Sequence, residues 1–545
     1  MQFGFQNQLM QRFIQLIAFV FVGLLLTACQ TETDTQKVFR YNENAGILTL
    51  DPAFAKDLPH IWACNQLYNG LVAFDSNMQV VPSLAKSWKV EDEGTLYTFA
   101  LRTDVYFHEH AAFKGVSRKF VASDVQYSFQ RFLDPKLASP GIWIFNQVER
   151  KGDSLAIRIL NDSTLQIQLK RPFPAFLGIL GMAYASVVPF EVVEAMGTDF
   201  RQNPSGTGPF ALKLWEEGVR LVLRKNPNYF EFADGQRLPF LEAISISFLS
   251  DKQTAFMEFI KGNLDFMSGV DARFKDELLT RQGNLRSKYQ NRINLKREAF
   301  LNTEYLGFFL GKEEANLNAE QKRALRQVVN HAIDREKMLK YLRNNVGIVA
   351  HGGMIPNGLP GYDLSQRIGY SYDPDKAGRL MEQYNLRGQT ITISVTEDYV
   401  DLVKFIQSEL CKIGIIVVVD VMPTATLRQL RAHGKLEIFR ASWVADYPDA
   451  ENYLSLFYGP NKSPAGPNYT HFQQDRFDSI FEQAYEITDP VKRSAVYRQL
   501  DSMVMSEAPV VPLYYDEVLR FSQKNVRGLS GNPTNQLDLK LVWKY

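Results

Sequence analysis

Apolar and polar positions change period many times along the chain, and each change marks an element. Residues 38–53 (VFRYNENAGILTLDPA) predict a first strand running into a loop. Residues 60–75 (HIWACNQLYNGLVAFD) carry apolar side chains at helical spacing and predict a helix. In 86–107 the acidic EDEG turns between two strands, with Leu96, Thr98 and Ala100 alternating against Tyr97, Phe99 and Leu101. Residues 123–133 predict a helix capped by Ser123 or Asp124. Residues 154–172 form a hairpin around Asn161-Asp162, and 206–230 a second strand pair.

The second half continues the mixture. Residues 253–267 predict a helix and then a strand, and 318–339 two helices with Asp334 capping the second. Asp373-Pro374 opens a helix over 372–384, the proline as first helical residue. A strand at 389–398 precedes a helix, a glycine stop and the fully apolar run IIVVV within 401–423. Such a run predicts a strand buried on both faces. EIFRASWVADYPD is the next strand, and PVVPLYYDEVLRF (509–521) the last. Irregular alternation of strands and helices predicts α/β lobes, and 545 residues exceed what one core holds.

Composition changes this picture little: 45% apolar, 22% charged and 12% aromatic are ordinary values. The net charge of +1, without a basic block, argues against nucleic acid as partner. The start is more informative. Arg12 precedes FIQLIAFVFVGLLL, 14 residues interrupted only by Gln15, and LTAC follows. This is an export signal, too short for a comfortable membrane span. Leu26-Thr27-Ala28-Cys29 resembles the bacterial lipobox, which implies lipid on Cys29 after cleavage of 1–28. Residues 29–37 then form a tether. Cys64 and Cys411, both in apolar stretches, read as free buried thiols.

Candidate chemistry is sparse. His108-Glu109-His110 puts two histidines on one strand face, but no third ligand is near, so a structural role is expected. Gly206-Thr207-Gly208-Pro209 lacks the Lys-Ser/Thr of a phosphate loop and reads as a turn. Asp373-Pro374-Asp375 is explained by helix capping. No nucleophile motif is found and no metal or cofactor is expected, while an acid pair of glycosidase type is not excluded by counting. One stretch resists these explanations: SWVADYPDAENYLSLF (442–457). Asp449 reads as a helix cap. Asp446 ends an apolar strand among Trp443, Tyr447 and Tyr453, where a carboxylate is costly unless a cation or donors satisfy it. Locally two readings stay open: an internal ion pair, with Arg440 or a lysine, and a cationic ligand.

Several segments, in order, resemble the periplasmic-type solute-binding proteins of peptide ABC transporters, extracellular solute-binding family 5. They include LTLDPA, NQLYNGLVAFD, VPSLAKSWKVEDEGTLYTFALRTDVYFH, ASDVQYSFQRFLDP, GTGPFALKLW, VLRKNPNYF, LRQVVNHAIDREKML, YDPDKAGRLM, ASWVADYPDAENYLSLF and APVVPLYYDEVLRF. The resemblance implies an α/β two-lobed periplasmic-binding-protein-like fold of the large class, with an extra subdomain and a hinge-closing cleft. Lobe I would hold 38–65, 205–302 and 506–545, the inserted subdomain 66–204, and lobe II 303–505. It implies a monomeric, lipid-anchored receptor in the bacterial cell envelope that hands a short peptide to ABC permease subunits. In oligopeptide-binding members the aspartate of a W-x-A-D-Y segment pairs with the peptide amino terminus. Asp446 matches it, with Trp443 and Tyr447 shaping a pocket. Arg440 matches an arginine that helps receive peptide carboxylates. Ser442 and Val444 would offer a strand edge to the peptide backbone. Other members bind oligosaccharides, nickel chelates or haem, which stay as alternatives; an envelope hydrolase is the remaining one.

Overall fold

The computed structural model describes residues 37–311, 317–363 and 365–545. The export segment, Cys29 and the tether up to residue 36 lie outside the described residues. The main sheet has eleven strands, numbered here along the chain: β1 Val38–Asn42, β2 Phe210–Glu216, β3 Arg220–Lys225, β4 Ala243–Ser247, β5 Phe266–Ser268, β6 Ile293–Phe308, β7 Ile348–Val349, β8 Thr390–Val395, β9 Ile416–Val421, β10 Ile438–Val444 and β11 Val510–Gln523. Their spatial order is 2-3-4-1-5-11-6-10-8-9, with β7 beside β11.

Two strands run through both halves of this sheet. β6, with 16 residues, and β11, with 14, pair antiparallel along most of their length. One end of the pair lies beside β5 and the other beside β10. The pairing breaks midway, where Ala299 faces Glu517 and Thr303 faces Tyr515. Three residues of β6 therefore oppose one of β11. A bulge of this kind bends a strand and raises its local twist, so the crossing is where one half of the sheet can turn against the other. The parallel pairs lie on either side, β1 with β4 and β5, and β8 with β9 and β10.

A separate four-stranded sheet is built from Ala85–Glu91, Leu96–Leu101, Thr164–Gln168 and Ile157–Asn161, in that order. Tyr97, Phe99 and Leu101 turn inward from it, as their alternation predicts. One contiguous core joins this sheet to β1–β5 and to the aromatic residues of 439–505, and a second lies under β8 and β9.

Most predicted elements form, and the departures have local causes. The helix expected over 60–75 is Leu58–Leu67; Tyr68 is extended and Val72–Phe74 is a strand. Asp124 is not the N-cap of the next helix, which begins at Ala122. It caps from the third helical position instead, its carboxylate accepting the N–H of the N-cap residue Val121 (2.8 Å) and pairing with Arg118 (2.7 Å). The apolar run at 416–421 is not buried on both faces. β9 is the sheet's last strand, and Ile416, Val418 and Val421 are 54%, 47% and 49% exposed. Cys64 is buried, but Cys411, on the helix Val400–Lys412, is exposed.

His108 is structural. Its Nε2 donates to the Gly208 carbonyl (2.9 Å), and its Nδ1 accepts the Gly206 N–H (3.3 Å). Burial lowers its pKa to about 4, so it stays neutral. His110 only caps a short turn, accepting the Ala112 N–H. The glycine-rich segment is a turn pressed onto the end of the Leu58–Leu67 helix, where the Gly208 N–H donates to the Leu67 carbonyl (2.9 Å). A Cβ at Gly206 would overlap that carbonyl, whereas one at Gly378, inside the helix Pro374–Gln383, would meet open space. Gly206→Ala should therefore cost about 3 kcal/mol of stability. Gly378→Ala should add about 0.5–1 kcal/mol. Urea denaturation midpoints of the two variants measure both.

Candidate functional site

β10 has a neighbour along only part of one side. β8 pairs with it at Ile438 and Phe439 and then ends. On the other side β6 accompanies it throughout, from Phe308 opposite Ile438 to Asn302 opposite Val444. Two hydrogen bonds set the phase of that ladder: Phe309 N–H to the Glu437 carbonyl (2.9 Å) and Ala445 N–H to the Leu301 carbonyl (2.8 Å). In an antiparallel ladder bonded and non-bonded pairs alternate, so odd-numbered residues of β10 bond to β6. The backbone groups of Ser442 and Val444 point the other way, to the open edge past the end of β8, whose last residue, Val395, falls opposite Arg440.

Asp446 follows this edge. Its carboxylate makes no ion pair with any described residue and takes one protein hydrogen bond, from Asn452 Nδ2 (3.3 Å). It was expected to be enclosed, but solvent reaches it. Its pKa nevertheless rises to about 6, burial outweighing the hydrogen bond from Asn452. The two facts agree if solvent enters from one direction while protein fills most of the surrounding volume. Asp446 in turn helps push up the phenols of Tyr184 and Tyr453, which places both nearby. Trp443 is half-buried and Tyr447 buried, its ring 6.3 Å from that of Trp143.

Arg440 differs in kind. Its guanidinium pairs with Glu304, which is 2% exposed, and lies 3.3 Å above the centre of the Tyr399 ring. The charge that sequence reasoning offered to a ligand carboxylate is thus already neutralised within the protein. Asp449 is not the N-cap of the helix Glu451–Leu454, which is Ala450; from one residue further out its carboxylate accepts the Glu451 N–H (3.0 Å) and pairs with Arg493 (3.1 Å).

Sequence reasoning missed three groups here. Glu304 lies on another strand, 136 residues from Arg440, and nothing in the sequence links them. Asn452 carries no signal in the sequence beyond its place in the first turn of a helix. Glu451, buried beneath the site, accepts the hydroxyls of Tyr447 and Tyr485. A cavity of about 1490 Å³ lies elsewhere, lined by Asp51, Phe54, His60, Tyr127, Arg131 and Leu137 among others. None of the expected site residues lines it, and its buried charges Asp51 and Arg131 satisfy each other through two 2.9 Å bonds.

Two lobes crossed by a paired strand, with an open strand edge and an uncompensated acid beside the crossing, define a two-lobed solute-binding protein. The chain belongs to the bacterial extracellular solute-binding proteins, family 5, whose middle region matches residues 79–465. Members of this family bind solutes for transport, and this chain is a binding protein rather than an enzyme. It is similar to the dipeptide-binding protein of Escherichia coli (strain K12), at 26% identity over 86% of this chain and 87% of that one. It is equally similar to haem-binding protein A of Haemophilus influenzae, at 26% over 86% and 85%. Among solved structures, the periplasmic binding protein DppA of Helicobacter pylori in complex with the peptide STSA matches with a TM-score of 0.76. That match has 25% identity and covers 94% of this chain and 100% of that one. Among the described residues no helix is long and apolar enough to cross a membrane.

Glu451 gives the site a pH signature. Burial pushes its carboxyl from 4.5 to about 7, against the pull of the Tyr447 hydroxyl. A folded-state value above the unfolded one means that the folded chain holds the proton more tightly. The stabilising contribution is complete below about pH 4.5 and is lost as pH rises through 7, up to about 3 kcal/mol. Glu451→Gln keeps the shape and removes the titration. Its denaturation free energy should lack this part of the decline between pH 4.5 and 7.5 that the unaltered protein shows.

Proposed function

We propose that the protein is the substrate-binding component of a peptide ABC importer and that it holds the free amino terminus of a short peptide at Asp446. The observation that carries this reading is the Asp446 carboxylate without a cation, at the end of an unpaired strand edge. An ammonium group supplies the missing charge, and in a closing cleft of low effective dielectric that contact counts for more than in water. The N–H and C=O groups of Ser442 and Val444 take the peptide backbone whatever its side chains. Trp443 and Tyr447 wall the first side-chain position. Arg440, paired with Glu304, closes the far end of the edge as a neutral unit.

Similarity alone does not select a peptide, since a haem-binding relative is as close as a dipeptide-binding one. The amine-seeking acid is what favours it. The remaining parts of the proposal follow from sequence. Residues 66–204 form the inserted subdomain and 303–505 the second lobe, with lobe I built from 38–65, 205–302 and 506–545. Lipid on Cys29 tethers a monomer outside the cytoplasmic membrane, where it meets the permease.

Calorimetry with trialanine and N-acetyl-trialanine tests the site. Affinity for the free peptide should exceed that for the acetylated one by at least about tenfold at pH 7, a difference of about 1.4 kcal/mol. It should fall as pH drops through about 6, when Asp446 takes up a proton. It should fall again above about 8, when the peptide amine loses its own. Equal affinities, with no pH dependence, would sink the assignment.

A further inference from the structure

Asn452 lies in the first turn of the short helix Glu451–Leu454 and is 4% exposed. Its side chain makes three hydrogen bonds, all to the site. Oδ1 accepts from the Trp443 indole N–H (2.9 Å) and from the Asp446 backbone N–H (3.3 Å), and Nδ2 donates to Asp446 Oδ2 (3.3 Å). These partners leave no freedom in the amide's orientation. An indole N–H and a backbone N–H only donate, so both must face the oxygen; a carboxylate accepts, so it must face the nitrogen. The position needs an acceptor and a donor on one short fork. Aspartate lacks the donor, serine lacks the fork, and glutamine would carry it one methylene too far.

We propose that Asn452 is the positioning residue for ligand binding, fixing the direction of the Asp446 carboxylate and the plane of the Trp443 ring as one rigid surface. This rests on the reading of Asp446 as the anchor for an amino terminus. Rigidity matters because ordering a side chain at the moment of binding subtracts from affinity. The amide also works against burial. It lowers the Asp446 pKa where desolvation raises it, so more of the carboxylate is charged near neutrality. The other titratable groups that feel Asp446 are the phenols of Tyr184 and Tyr453, both neutral in this range. Asn452 does not reach the open edge of β10 itself, so its influence passes through Asp446 and Trp443.

The test compares the unaltered protein with Asn452→Asp, Asn452→Ala and Asp446→Asn, using trialanine and N-acetyl-trialanine in calorimetry from pH 5 to 8. Circular dichroism and thermal unfolding first establish which variants are folded; Asn452→Asp keeps the shape should the alanine variant be lost. Both Asn452 variants should bind free trialanine about tenfold or more weakly at pH 7, with N-acetyl-trialanine changed less than about twofold. The acid limb of the pH profile should move upward in both. Equal losses for the two peptides with an unmoved acid limb would reduce Asn452 to a structural residue and overturn the proposal, as would affinities and a profile matching the unaltered protein. If Asp446→Asn itself leaves free trialanine binding intact, the underlying reading fails. If Asp446→Asn loses binding while the Asn452 variants keep it, only the role of Asn452 fails.

Discussion

A charge without a partner is the constraint on which this molecule turns. Several charged side chains near the strand crossing are matched: Arg440 with Glu304, Arg343 with Asp516, Arg297 with Glu517 and Arg520 with Glu298. Asp446 alone of these acids meets only an amide. A carboxylate largely surrounded by protein is less favourable than one in bulk water, and that partial desolvation raises its pKa. Folding tolerates the cost because solvent still reaches the group from the cleft. In the proposed reading a cationic guest relieves it as the cleft shuts. Local instability in the empty protein and affinity for the guest are then two faces of the same free energy.

The crossing strands make such relief mechanically possible. β6 and β11 belong to both halves of the main sheet, and the register between them slips where three residues meet one. On one side of the slip lie the parallel strands β1, β4 and β5, and on the other β8, β9 and β10. A hinge built in this way closes around a ligand without repacking either core, and lobe closure in binding proteins is of this kind.

Beneath the open edge, one turn of helix holds the site. Asn452 fixes Asp446 and Trp443 from below, and the adjacent Glu451 fixes Tyr447 and Tyr485. The two neighbours have opposite tasks. Asn452 stabilises the charged form of its target, whereas Glu451 is itself pushed toward the neutral form by burial. Asp449 ties this turn to the helix Pro490–Glu507 through Arg493. The aromatic residues of the 443–458 stretch are therefore held by polar anchors at their edges as well as by packing.

Local periodicity in the sequence was enough to locate most of the elements it predicted, because alternation and capping act over a few residues, but the helices Thr424–Ala432, Asp475–Ala484 and Pro490–Glu507 were not foreseen. Asp373 and Asp334 cap the helices that follow them, and Tyr97, Phe99 and Leu101 face inward. The W-V-A-D-Y segment singled out Asp446 for the same reason: an acid among aromatic residues is visible without a fold. What sequence could not supply was the identity of neighbours. Composition alone made 416–421 an interior strand, but exposure depends on what lies beside and over it, and β9 has a neighbour, β8, on one side only. Nor did the chain reveal that Arg440 is spent on Glu304 while Asp446 is not. Pairing between charges depends on distance in space, and only the folded sheet brings residues 304 and 440 together while leaving residue 446 open.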